Sequence, residues 1–465
     1  MMSRSLSLVR LAVLAIPIAL ALAASDAGRA SPERDILVTT TAELVSAMTP
    51  SNAGRTIRVR PGIYTVSAPL EVPDGATLAG DGRMLFDDDG LPMGIDPATA
   101  PLLVHTAVTA GDMVRLGDGS RVSGLVLQEA ALPLPTPPSS GPNAGNLIAV
   151  VTNEPGDRIT ASIDACELIN PNPSGVGGQH GPTRRAIMIL SRNRNQGAAP
   201  DPDHDSELTV RITRTIIRSP RAGSGIFAIN FASRSSISLS LHRNVIGGGL
   251  DTNGGVTLGV TPENITSESE VEIFSHGNLY RDDSQGNTIG VQATGCSGSP
   301  LGGPLPSLSN SLRMHSVNDR FENFNNAFLV AGARRYFAET GFSSGCSLEL
   351  QLVGAYVQAR DRGFRFYGAL ASVPAVTGSD NELRVLMRGV TNDSARGNLM
   401  ADEGFYVPLN FAGWSPTDIY YATDPDYPQY AGLDNRLELI GNLQSFESTN
   451  DAGEPLPEAS LFGND

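Results

Sequence analysis

Apolar and polar residues alternate in short bursts along most of this chain, and eight of the bursts superpose without gaps. They begin at Ile159, Leu208, Ile237, Val271, Leu312, Leu348, Leu383 and Leu437. The first and third positions are apolar in every copy, with Ala161 the one small exception, and the second position is always polar. The tenth position is apolar except at Asn392. Alternation with period two is the signature of a strand with one face buried.

The second position adds information about how the copies are arranged. From the fourth copy onward it reads Glu272, Arg313, Glu349, Arg384, Glu438. If successive copies lie side by side in register, every carboxylate has a guanidinium on its neighbouring strands. Each such pair contributes roughly 0.2–1 kcal/mol. Stacked coils of a solenoid bring like positions into line; hairpins do not. Between the copies lie further short apolar strands at Ile187–Leu190, Ile226–Phe231, Val256–Val260, Thr288–Gln292, Phe328–Ala331 and Phe364–Tyr367. The copies start 29 to 54 residues apart, so loops of variable length leave the coil. Repeat architectures place binding faces on such insertions.

The opening of the chain fits the same architecture. Thr41 is placed to cap a short helix with Leu44, Val45 and Met48 as its apolar stripe, which would cover the open end of the solenoid core. Then come Ile57-Arg58-Val59-Arg60-Pro61-Gly62-Ile63-Tyr64 and Leu70-Glu71-Val72-Pro73-Asp74-Gly75-Ala76-Thr77-Leu78-Ala79-Gly80, short strands broken by Pro-Gly and Asp-Gly turns. This order of helix and strands resembles the start of pectin-lyase-like right-handed β-helix proteins. The resemblance implies an all-β, single-stranded, right-handed parallel β-helix with a short N-terminal capping helix. It implies no single activity, because that superfamily holds lyases, hydrolases, esterases, epimerases and non-catalytic adhesins.

Composition narrows the setting. Residues 1–23 read as a secretory signal: Arg4 and Arg10 flank an apolar run from Leu11 to Ala23, too short to span a bilayer as a helix. The expected organisation is a linker and cap over 24–55, the β-helix with its insertions over 56–447, and a flexible acidic tail over 448–465. Signal cleavage leaves no membrane span and predicts a secreted protein, periplasmic or extracellular. Export permits disulfides, and Cys296 and Cys346 share Gly/Ser-rich contexts that suit a pair, with Cys166 left buried. The net charge is −16 and all 33 basic residues are arginine, which argues against nucleic acid as a partner and excludes a catalytic lysine. Nothing in the pattern specifies an oligomeric state.

Four constellations are candidates for chemistry. His242 and His276 share the sixth position of successive copies, and Arg214 and Arg243 the seventh, so stacking in register would gather them as an acid–base cluster. A second candidate is the stretch from Arg184 to Arg221, which holds 8 arginines against 4 acids; Arg218 and Arg221 within it are candidates for binding the carboxylates of an acidic polysaccharide. Asp201, Asp203 and Asp205 alternate as ligands for calcium, the one cofactor this sequence suggests, although Ser206 stands where an EF-hand loop needs Gly. The run Asp201-Pro202-Asp203-His204-Asp205 also resembles the Asp-Pro-His-Asp motif of alginate C5-epimerases, with Asp203 inserted. Finally, Trp414 and Tyr420 lie in an aromatic-rich insertion able to stack on sugar rings.

The sequence therefore predicts a secreted β-helix protein that binds, and as an enzyme would process, an extracellular polysaccharide. A non-catalytic surface or adhesin-like protein is one alternative, and a calcium-dependent uronan lyase or C5-epimerase another. Glycoside hydrolase motifs of this fold, Arg-Ile-Lys and Gly-His-Gly, are absent.

Overall fold

A computed structural model describes residues 35–106, 111–130, 146–170, 186–191, 205–218, 225–230, 232–247, 256–264, 267–282, 288–298, 307–335, 343–371, 380–395, 399–406, 419–421 and 435–441. The chain divides into compact units at residues 1–35 and 36–465; the description below is of the second. The expected signal peptide over 1–23 and the expected acidic tail over 448–465 lie outside the described residues.

The fold is the right-handed parallel β-helix that the repeat predicts. Three long sheets, of 12, 10 and 11 strands, run the length of the solenoid and are called A, B and C in order along each coil. From Thr56–Val59 onward, every pairing described within them is parallel except that of Ile419–Tyr421 on Leu399–Tyr406 at the far edge of sheet C. The eight superposed copies form consecutive strands of sheet A with no slip: Ile159 faces Leu208, then Ile237, Val271, Leu312, Leu348, Leu383 and Leu437. The intervening apolar strands all fall in sheet C, several longer than the sequence indicated, such as Thr288–Gly298 and Asn326–Arg335.

The ten-position repeat turns out to bend around a corner. Positions one to six are a sheet A strand, as in Ser236–His242, and position ten sits in sheet B, as in Val245–Gly247. Position seven is the hinge. Ala165, Arg214, Arg243, Gly277, Asn318, Gly354 and Gly389 have φ between 49° and 61°. One left-handed residue turns the chain from one sheet to the next, a conformation that costs a residue with a Cβ about 1–2 kcal/mol.

Position eight then points inward and forms a buried polar ladder. Thr215 N donates to Asn244 Oδ1 (2.9 Å), Asn244 N to Asn278 Oδ1 (2.8 Å), and Asn278 N to Asp319 Oδ1 (2.7 Å). These bonds satisfy backbone donors that the corner removes from the sheet. A second ladder precedes position one, where Ser269 N donates to Asn310 Oδ1 and Asn381 N to Asn435 Oδ1. Cys346 occupies that same register position and is disulfide-bonded to Cys296, while Cys166 is buried and reduced.

Positions one and three line a single core. Leu208, Val210, Ile237, Leu239, Val271 and Ile273 are at most 1% exposed, so each contributes roughly 1.5–3 kcal/mol by burial. Toward the C-terminal end the core becomes aromatic, with Tyr280 on Phe321 (4.6 Å) and Phe328 on Phe364 (5.4 Å).

Two sequence expectations need correction. Thr40 rather than Thr41 caps the helix Thr41–Ala47, through a capping box with Glu43, and the buried stripe is Leu44 and Ala47 while Val45 is exposed. The charged second positions do align, but only Arg384 and Glu438 (3.3 Å) are joined by an ion pair among the described residues of that row. Arg313 reaches Glu270 instead, 3.1 Å away, because the longer side chain leans along the strand.

Candidate functional site

Side chains at positions two, four and six point outward from sheet A. Position six brings Asp164, Thr213, His242 and His276 onto adjacent strands in register. The two imidazoles meet as the repeat implies: their Nδ1 atoms are 3.1 Å apart and their ring centroids 5.1 Å. Burial and the positive charges of His276, Arg243, Arg211 and Arg214 hold His242 below the usual imidazole range. Position four adds Arg211, Ser240, Phe274 and His315 in the same order. Phe274, an exposed aromatic, stacks on His315 with centroids 5.2 Å apart.

The arginines around this face divide into two kinds. Arg214 grips Asp164 with Nε (3.0 Å) and Nη2 (2.6 Å), and Arg121 approaches the same carboxylate at 2.7 Å. Thr213 Oγ1 also donates to it at 2.6 Å. Burial would raise the Asp164 carboxyl, but the bonds from Arg214 and Thr213 and the charges of Arg214 and Arg121 outweigh it and keep it below the usual carboxylate range. Arg214 is therefore locked to Asp164 rather than presented to a ligand. Arg211 and Arg243, in contrast, are exposed, and their guanidinium groups make no ion pair or hydrogen bond with the described residues.

An element absent from the sequence reading borders this face. Met84–Phe86 and Pro92–Ile95 form an antiparallel hairpin on the outside of sheet B, seated by Met84 and Ile95 against Val126 and Ile216. It engages Arg218, another predicted ligand-binding residue, whose Nη2 donates to the Met93 carbonyl (2.8 Å) while its Nε donates to Glu167 (2.8 Å). The tip carries Asp89 to within 3.6 Å of Arg320. Gly90 lies beside Arg243, so that a Cβ there would be 3.5 Å from Nη1.

The remaining candidates do not join this site. Asp205 precedes the strand Glu207–Thr213, whereas the histidines sit at the other end of the strands beside it, about 20 Å or more away at the usual rise per residue. The carboxylate run and the imidazole pair are thus not parts of one centre. Asp201, Asp203, Arg221 and Trp414 lie outside the described residues, and Tyr420 belongs to the antiparallel edge strand Ile419–Tyr421. Among the described residues no three or more His, Cys, Asp or Glu side chains gather to hold a metal, and no helix is long and apolar enough to cross a membrane.

Comparisons with known proteins supply little beyond this geometry. No protein-family model matches the sequence, and no curated protein does. Two solved structures of PfbA, a surface adhesin of Streptococcus pneumoniae, are distantly similar. One is 10% identical with TM-score 0.23 and the other 9% identical with TM-score 0.20; each alignment covers 86% of this chain and 95% of the other. Likeness at that level carries no argument, and the fold rests on the strand pairing itself.

Proposed function

We propose that this is an exported β-helix protein that binds an anionic extracellular polysaccharide along the outward face of sheet A. The observation that carries the reading is the contrast among the arginines. Arg121, Arg214, Arg218 and Arg320 are engaged by carboxylates of the chain, whereas Arg211 and Arg243 stand beside the imidazole pair, exposed and unengaged by described residues. Guanidinium forks suit the carboxylates of a uronic-acid chain, and the neighbouring Phe274–His315 stack offers a ring face to a sugar. Binding, rather than turnover, is the reading the geometry favours. Arg214, expected in the acid–base cluster, is held in a bidentate pair, and the calcium candidate Asp205 is remote from the imidazoles.

The test is binding of the mature protein to polygalacturonate and alginate, with dextran as the neutral control. Saturable binding that weakens with salt, and that drops about fivefold or more in Arg211→Ala and in Arg243→Ala, is the expected result. Equal binding to dextran, or wild-type affinity in both variants, would refute it. Release of unsaturated sugar ends would convert the reading to a lyase.

A further inference from the structure

His242 and His276 face each other in register at the sixth position of adjacent strands, fixed by the continuous parallel ladder beneath them. Their Nδ1 atoms are closer together (3.1 Å) than their ring centroids (5.1 Å), and the planes differ by only 15°. The nitrogens are therefore the facing edges of the two rings.

A transition-metal ion bonds an imidazole nitrogen at about 2.0–2.1 Å, and two nitrogens 3.1 Å apart subtend about 98° at such an ion. That angle lies between the right angle of square-planar coordination and the tetrahedral value, so the separation of the two nitrogens suits a single ion. We propose that His242 and His276 form a two-nitrogen site for a divalent transition-metal ion. Its remaining coordination positions face solvent, since Thr213, the neighbour of His242 in the sixth row, is bonded to Asp164, and Val317, the neighbour of His276, is apolar.

The ligand class follows from the donors. Two imidazoles select copper(II) over nickel(II) and zinc(II) in the usual order of affinity, and they do not select calcium or magnesium, which need oxygen ligands. Arg211, Arg214 and Arg243 set a positive field around the pair, which Asp164 offsets at Arg214. The site is thus one of modest affinity. It is independent of the polysaccharide reading, since no glycan is needed for the metal to bind.

Titration of the mature protein with copper(II), nickel(II) and zinc(II) chlorides tests the site, using calorimetry together with electron paramagnetic resonance of the copper form. The expected result is one copper per chain with a two-nitrogen spectrum. Its affinity falls about tenfold or more in His242→Ala and, separately, in His276→Ala, while His315→Ala behaves as wild type. Unchanged circular dichroism and an unchanged denaturation midpoint show that each variant is folded. No copper uptake by the wild type, or either single variant binding within about twofold of it, would overturn the proposal.

Discussion

Asp319 breaks an otherwise neutral ladder, and replacing it with asparagine should make the protein more stable. Its Oδ1 accepts from the backbone N (2.7 Å) and Nδ2 (3.1 Å) of Asn278, and its Oδ2 accepts from Ser316 Oγ (2.7 Å). Burial nevertheless prevails over the bonds from Ser275, Ser316 and Asn278, and the carboxyl is raised above its ordinary value of 3.8. The folded state therefore binds the proton more tightly than the unfolded chain. This contribution to stability is whole below the unfolded value and is lost as the pH rises through the folded one, at about 1.4 kcal/mol for each pH unit of separation. Asp319→Asn removes the titration and keeps the shape of the side chain. In the two coils before it, Asn244 Nδ2 donates to the Ile212 carbonyl (2.9 Å) and Asn278 Nδ2 to the Leu241 carbonyl (3.1 Å). The same step along the ladder offers the new amide the carbonyl of Ser275, a bond of about 1 kcal/mol. Asp319→Asn should thus be stabilised by about 1–3 kcal/mol at about pH 8, and by less at about pH 4. Guanidinium denaturation of both proteins at the two pH values measures the difference. A lower midpoint for the variant at the higher pH, or a gap that does not change with pH, would refute the reasoning.

Other expectations rest on single features. Gly277→Ala isolates the cost of the left-handed corner, because its new Cβ meets nothing nearer than 3.9 Å; a loss of about 1–2 kcal/mol is expected by chemical denaturation. Reduction of Cys296–Cys346, which are 50 residues apart, should lower stability by about 4 kcal/mol on the chain-entropy account, seen as a lower midpoint with reductant. Burial pushes the Cys166 thiol up to about 12, so iodoacetamide should alkylate it only in denaturant.

The architecture was legible because a solenoid converts sequence period into spatial register. Once Ile237, Val271 and Leu312 are aligned in the sequence, their strands can stack in only one way that keeps position one inside. The corner at position seven was hidden by its variety. Alanine, arginine, glycine and asparagine all occur there, and only Gly277, Asn318, Gly354 and Gly389 hint at a left-handed turn. Position ten is apolar like positions one and three, but it belongs to a strand of sheet B.

The site was legible to the extent that it follows the same register, and no further. His242 and His276 meet because equal positions on successive coils must meet. Phe274 and His315 meet by the same rule, and reading position four as a column would have found them. What the period cannot show is which charged groups are already engaged. Arg214 is held by Asp164, 50 residues earlier, and Arg218 by a carbonyl of the hairpin 125 residues earlier. Identical residue types at equivalent positions, Arg214 and Arg243, consequently have different fates: position six of the preceding coil is the carboxylate of Asp164 beside the first and the hydroxyl of Thr213 beside the second. A guanidinium facing a carboxylate becomes part of the scaffold, and one facing a hydroxyl is left to attract an anion from solution. Moving that carboxylate, by the pair Asp164→Ser with Thr213→Asp, should therefore release Arg214 and engage Arg243. In the polygalacturonate binding assay a contact made by Arg243 should then weaken even though both arginines remain, and unchanged affinity would show that engagement by a carboxylate does not decide which arginine binds.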